Sequence, residues 1–200
     1  MIYRSKCLVL FVEGDTEVEF YKRIISNARQ KRVDGRLAIN IEYKNVKGVG
    51  GFKNNALRKF IKEIKPKYGK GCEFIVALCR DTDVFEISPN PPIKWDEVER
   101  AFIENGAHKV IHIEAKHSSE DWFLLDVEGI ISFLHLPKKI KVSGTNGYDK
   151  LKKLFKQANK MYYKGIKSNG MVERLDIDKI AKTVHAELAP LYNELGIERR

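Results

Sequence analysis

Apolar positions along the chain fall into four short runs, and each run leads into a stretch with helical spacing. Residues 7–14, CLVLFVEG, stay apolar without alternation until they end in Glu-Gly, as a strand buried on both faces of a parallel sheet does. Over residues 15–32, Val18, Tyr21, Ile24, Ile25 and Ala28 recur on one helical face, and Thr16 with Glu19 has the spacing of a capping box. The order repeats as a strand at 39–46, a Gly-rich turn at 48–51 and a helix at 52–65. A third strand over 73–85 runs into acids. A loop with Pro89, Pro91 and Pro92 then leads to a helix over 94–106 closed by Gly106. A fourth strand spans 109–115, and a helix over 118–136 is stopped by Pro137. Beyond a polar linker come a basic helix over about 148–163, a turn at 165–170 and a last helix over about 176–195.

Alternating strands and helices predict an α/β fold: a Rossmann-like, mostly parallel sheet of about four strands with helices on both faces. Residues 1–136 form that domain in this reading, and 137–200 are a basic helical extension packed on it. The 200 residues, 43% of them hydrophobic, have the composition of an ordinary globular chain with one substantial core. No apolar run is long enough to span a bilayer, and the N-terminal run ends in acids rather than a cleavage site. Cys7, Cys72 and Cys79 are odd in number, lie in apolar contexts and form no Cys-x-x-Cys pair. A reducing, cytoplasmic setting is therefore expected.

Charge adds a partner. The net charge is +10, and between Pro137 and Gly170 ten lysines face a single acid, Asp149. Lys152, Lys153, Lys156, Lys160, Lys164 and Lys167 are the candidate nucleic-acid contacts. A solvated, solubilising helix face explains the same lysines. Interleaved Tyr148, Phe155, Tyr162 and Tyr163 favour nucleic acid, either by stacking on bases or by packing beneath lysine stems.

Candidate chemistry sits where strands end. In a doubly wound sheet, ligands bind beyond the carboxyl ends of the strands. Glu13 follows the first strand, Asp81 and Asp83 the third, and Glu120 with Asp121 the fourth. Residues i and i+2 of an extended segment point the same way roughly 6–7 Å apart, so Asp81 and Asp83 are placed to share or bracket a cation. Oxygen donors select Mg²⁺ or Mn²⁺. Local roles compete at several positions. Glu17 lies in a helix first turn, where acids favour the dipole. Ser118 with Asp121 has capping-box spacing, which leaves Glu120 as the ligand of that pair. The segment GVGGFKNN (48–55) reads as a turn before it reads as a phosphate cradle, because Walker spacing is absent.

LVLFVEGDTEVEFYKRII, together with RDTD about seventy residues on, resembles the two acidic motifs of the Toprim fold: Glu-Gly after one strand and Asp-x-Asp after another. That fold is shared by type IA topoisomerases, bacterial primases and OLD-family nucleases. Glu17 and HSSEDWFLLD are similar to the OLD and abortive-infection branch, which includes RloB-like and AbiL-like defence proteins. The resemblance covers roughly residues 7–136. It implies a Mg²⁺- or Mn²⁺-dependent nuclease of DNA or RNA, possessing catalytic Glu13, Asp81 and Asp83. The implied metal set is Glu13, Glu17, Asp81, Asp83 and Glu120, with Lys164 or Lys167 at the scissile phosphate. It further implies a phage-defence setting and, since no ATPase region is present, a separate ATPase or sensor protein. Two rivals keep the fold. One is a non-catalytic nucleic-acid-binding or sensing subunit. The other is an aspartyl phosphotransferase, although that chemistry places its Asp-x-Asp after the first strand rather than the third.

Overall fold

A computed structural model describes residues 5–30, 39–83, 93–164 and 170–197. Strands β1 (Lys6–Val12), β2 (Asn40–Asn45), β3 (Glu73–Asp81) and β4 (Lys109–Ala115) form one sheet in the order β2-β1-β3-β4. Every pairing is parallel. In the register, Val9 lies between Glu42 and Val76, and Asp81 pairs with Ala115 at the carboxyl edge. The chain leaves β1 toward β2 on one side and later returns to β3 on the other, so strand order reverses between β1 and β3. That reversal opens the crevice in which α/β sheets bind ligands.

Side-chain alternation divides the sheet into two apolar faces. Leu8, Leu10, Val12, Ile75, Ala77, Cys79, Ile111 and Ile113 are buried on one of them. Helix α1 (Asp15–Gln30) covers that face together with the C-terminal helices. Cys7, Val9, Phe11, Phe74, Val76 and Leu78 are buried on the other, under the helical run 52–68 (α2) and α3 (Trp95–Glu104). There Phe102 packs against both Phe11 and Phe60, each with ring centroids 5.4 Å away. Truncating such a ring to Ala costs about 3–5 kcal/mol. All three cysteines are buried free thiols, and among the described residues no helix is long and apolar enough to cross a membrane.

The α/β class and the four-stranded parallel sheet are as the periodicity predicts, but several boundaries differ. β3 stops at Asp81, because the next two amides, of Thr82 and Asp83, both turn to the carbonyl of His117 at 2.9 and 2.8 Å. Residues 84–92, with the Pro-rich loop, lie outside the described residues. The expected helix over 118–136 is broken into α4 (Ser119–Phe123), a 3₁₀ turn (Leu124–Asp126) and α5 (Val127–Leu134). At the break the buried Asp126 turns aside to accept the Asp176 amide at 2.8 Å. The basic helix, α6 (Gly147–Gln157), ends six residues before the expected 163. Asn159 takes the left-handed conformation (φ 54°), and the Lys160 and Asn159 amides bond back to Phe155 and Lys156. This is a Schellman stop, in which Asn stands where Gly is commoner. The last predicted helix is two, α8 (Ile177–Thr183) and α9 (His185–Glu194), after a short α7 (Met171–Arg174).

The C-terminal helices share the main core. Leu151, Leu154, Phe155, Met171, Ile180 and Leu188 are buried in the same cluster as β1, β3 and β4. Arg23 of α1 ties them down, donating to the carbonyls of Val172 and Leu175.

Candidate active site

At the carboxyl end of β3, alternation sends neighbouring side chains to opposite faces. Arg80 goes to the α3 face, where its guanidinium lies 3.9 Å over the Trp95 ring and pairs with Glu114. Asp81 goes to the α1 face and is buried. Three other carboxylates meet it there. Glu13, directly after β1, accepts the Asp81 amide at 3.2 Å. Glu17, one helical turn later on α1, and Glu120, in the first turn of α4, are buried beside it.

Each acid is held by a particular device. The Ser119 amide donates to Asp81 Oδ1 at 2.8 Å, and its hydroxyl donates to Glu17 Oε1 at 3.2 Å. Tyr162, itself buried, donates to Glu120 Oε1 at 3.0 Å. Asp121 has the capping role that its spacing predicts: Ser118 accepts its amide and donates to its carboxylate at 2.8 Å. Its neighbour Glu120 is thereby left to face the cluster. Glu17 Oε2 and Glu120 Oε2 are buried with no hydrogen-bond partner.

One ammonium serves this group. Lys164 Nζ lies 2.8 Å from Asp81 Oδ2 and 3.6 Å from Asp83 Oδ2. It is an ion pair out of hydrogen-bond alignment, since that same Asp81 oxygen has no aligned donor. Asp81 and Asp83 do point the same way, as i and i+2 residues should, but the charge between them is the lysine's. Asp83, with 37% of its side chain exposed, stands at the rim rather than in the buried group.

The electrostatics follow from burial. Desolvation, then Asp81, pushes the Glu13 carboxyl up to about 7 from an ordinary 4.5. Desolvation, with Glu120 and Asp81 adding to it, raises Glu17 to about 7 as well. Asp81 and Glu120 are raised chiefly by burial, against the pull of Lys164. The Lys164 ammonium, although burial opposes its charge, is held well above its usual range by Asp81, Glu120 and Asp83.

Four buried carboxylates against one ammonium leave three negative charges when all are ionised. Hydrogen bonds from Ser119 and Tyr162 soften that excess without cancelling it. The donor set is all oxygen, buried, and carries unpartnered atoms, which fits a hard divalent cation such as Mg²⁺ or Mn²⁺. Among the described residues, no three His, Cys, Asp or Glu side chains are already closed around one point as a finished cage. Loading an ion therefore requires the carboxylates to draw together and Lys164 to shift.

A cleft of about 330 Å³ opens beside the cluster, lined by Glu13, Asp15, Glu17, Asn45, Lys47, Gly48 and Lys164. Lys152, Lys153 and Lys156 are exposed on α6, with Lys153 paired to Asp149 at 2.8 Å and Lys152 lying over the Tyr148 ring. Lys160 lies over the Phe133 ring, and Lys167 falls outside the described residues. Phe155 and Tyr162 are buried, so base stacking is closed to them, while Tyr163 is half exposed.

Ser119 and Tyr162 have no counterpart among the candidates drawn from sequence. Tyr162 stands two residues before Lys164 in a non-helical segment, a spacing that turns both side chains the same way. Reading that segment as helix hid the signal. Comparisons with protein-family models, with curated proteins and with solved structures return no match.

Proposed function

We propose that this protein is a metal-dependent nuclease that cleaves phosphodiester bonds in DNA or RNA using Mg²⁺ or Mn²⁺. The observation that carries this reading is the excess of buried carboxylate over cation at the β1/β3 switch point. Glu13, Glu17, Asp81 and Glu120 are the residues that would hold the metal, with Asp83 joining from the rim. Bound there, divalent ions activate water and stabilise the leaving oxygen of a cleaved strand. The chain's own groups do the rest. Glu13, with a carboxyl pKa of about 7, is matched to accept a proton near neutral pH. Ser119 and Tyr162 fix the orientation of Asp81, Glu17 and Glu120. The exposed lysines of α6 supply sequence-independent attraction for a polyanion. The Toprim-like and OLD-like motifs of the sequence agree with this chemistry, and a defence setting and a separate ATPase or sensor partner belong to the same proposal.

One observation favours a second reading. Lys164 already compensates Asp81 and Asp83. Were that pairing permanent, the fold would act as a non-catalytic nucleic-acid-binding or sensing module. Plasmid and total tRNA incubated with Mg²⁺ or Mn²⁺ separate the two. The nuclease reading expects cleavage by the wild type and none by Asp81→Ala, Asp83→Ala protein; binding without cleavage would establish the second reading.

A further inference from the structure

The cleft beside the carboxylates has a second wall, from the turn after β2, that the proposed chemistry does not use. Asn45 Oδ1 accepts the Lys47 amide at 2.6 Å, and Asn45 Nδ2 donates to Asp15 at 2.7 Å. The Gly48 amide donates to the carbonyl of Glu13 at 2.8 Å, which fastens the turn to the residue that bears a site carboxylate. Lys47 is held left-handed (φ 66°), an uncommon conformation for a side chain other than Asn, Asp or Gly. Gly48 follows at φ 85° with nothing within 4 Å of where a Cβ would stand. Gly51 closes the turn so tightly that a Cβ would come within 1.9 Å of the Val46 carbonyl oxygen. Backbone held in sparsely populated regions by such cross-ties gathers at ligand sites.

Charge makes the turn specific. Two lysines line the cleft: Lys164 is committed to Asp81 and Asp83, whereas Lys47 is exposed and has no ion-pair partner among the described residues. A cation without a counter-ion thus stands across the cleft from Glu17, whose Oε2 is buried and unpartnered. The arrangement suits a ligand that presents metal-bound oxygen to the acids and a further anionic group to Lys47. At about 330 Å³, the cleft is at the small end of organic-ligand sites, about 300–1,000 Å³. It has room for one nucleotide unit and not for the flank of a duplex.

We propose that Asn45, Lys47 and Gly48 form a phosphate subsite that holds a single-stranded polynucleotide one nucleotide from the reacting phosphate. This rests on the reading that the carboxylate site acts on nucleic acid, and it narrows the substrate to single strands, flaps or loops.

Fluorescence anisotropy on the full chain in Ca²⁺ tests it, with a labelled single-stranded oligonucleotide and the matching duplex across a salt series. Lys47→Asn removes the charge and tolerates the left-handed backbone, Lys47→Arg restores the charge, and Lys62→Ala, on the opposite face of the sheet, controls for loss of one surface lysine. The expected result is single-strand affinity at least about tenfold above duplex. Lys47→Asn should lower it several-fold and reduce the slope of log K against log salt by about 0.7, while Lys47→Arg and Lys62→Ala stay near wild type. Equal affinity for duplex, or a Lys47→Asn protein with wild-type affinity and slope, overturns the subsite. If the lysine effect appears but Mg²⁺ and Mn²⁺ never support cleavage, the nuclease reading fails and the subsite stands. A wild type that binds no nucleic acid removes both.

Discussion

Replacing Lys164 with Met keeps most of the stem volume and deletes the one ammonium in the carboxylate cluster. Lys164 lies 2.8 Å from an oxygen of Asp81 that is otherwise unpartnered, and Asp81 is only 4% exposed. Breaking a buried ion pair by removing one partner costs about 3–5 kcal/mol. A third of the Lys164 side chain remains in solvent, so the lower part of that range, roughly 2–3 kcal/mol, applies here. A divalent cation offers replacement charge to the same acids, and an ion present at about 100 times its Kd adds about 2.7 kcal/mol to the native state. Urea unfolding in EDTA and in excess Mg²⁺ reads both effects. The variant is expected to lose roughly 2–3 kcal/mol without metal and to recover most of it with metal. Wild type should gain less, because its ammonium must first be moved. The Asp81→Asn, Lys164→Met double variant supplies the cycle: its loss should be well below the sum of the single losses. A Lys164→Met protein as stable as wild type in EDTA, or equally destabilised with and without Mg²⁺, would refute the idea that lysine and metal answer the same excess charge.

Other expectations follow from the same geometry. Tyr162→Phe removes the donor to Glu120 Oε1 and leaves both oxygens of that buried carboxylate unpartnered; thermal melts in EDTA should show a loss of about 1–3 kcal/mol. Glu13 and Glu17 hold their protons up to about pH 7 in the native state, against an ordinary 4.5. The native state therefore binds more protons than the unfolded chain between those values, and metal-free stability should fall as pH rises from 4.5 to 7, then level off. The slope should flatten in Glu17→Gln protein, and metal affinity should rise over the same interval as protons cease to compete. Gly51→Ala drives a Cβ into the Val46 carbonyl. Its stability loss should exceed the usual 0.5–1 kcal/mol or so of a Gly/Ala exchange, with a matching loss of single-strand binding as the Lys47 turn shifts.

The sheet was legible because strands buried on both faces must be apolar throughout, and β1, β3 and β4 are. The site was legible for a related reason: an acid at the end of such a strand, as Glu13 and Asp81 are, has no structural role that burial alone would favour. Helix ends were harder. The Schellman stop at Asn159 uses a residue that is also unremarkable within a helix, so α6 was extended through the segment that delivers Tyr162 and Lys164. Asp83 and Glu17 exchanged importance for a geometric reason invisible in sequence. The chain turns at Thr82 toward the His117 carbonyl, which carries Asp83 to the rim, while the first turn of α1 points Glu17 inward. Whether Lys164 would meet phosphate or carboxylate depends on a contact between residues more than eighty positions apart, which no local pattern records.

Titrating Mn²⁺ into the full-length protein, with free ion followed by electron paramagnetic resonance, tests most directly whether the buried carboxylates hold a divalent cation. The account predicts saturable binding to wild type, competed by Mg²⁺ and weakened at least about tenfold in folded Asp81→Asn and Glu17→Gln variants. Absence of saturable binding to wild type, or equal binding by the two variants, would contradict it.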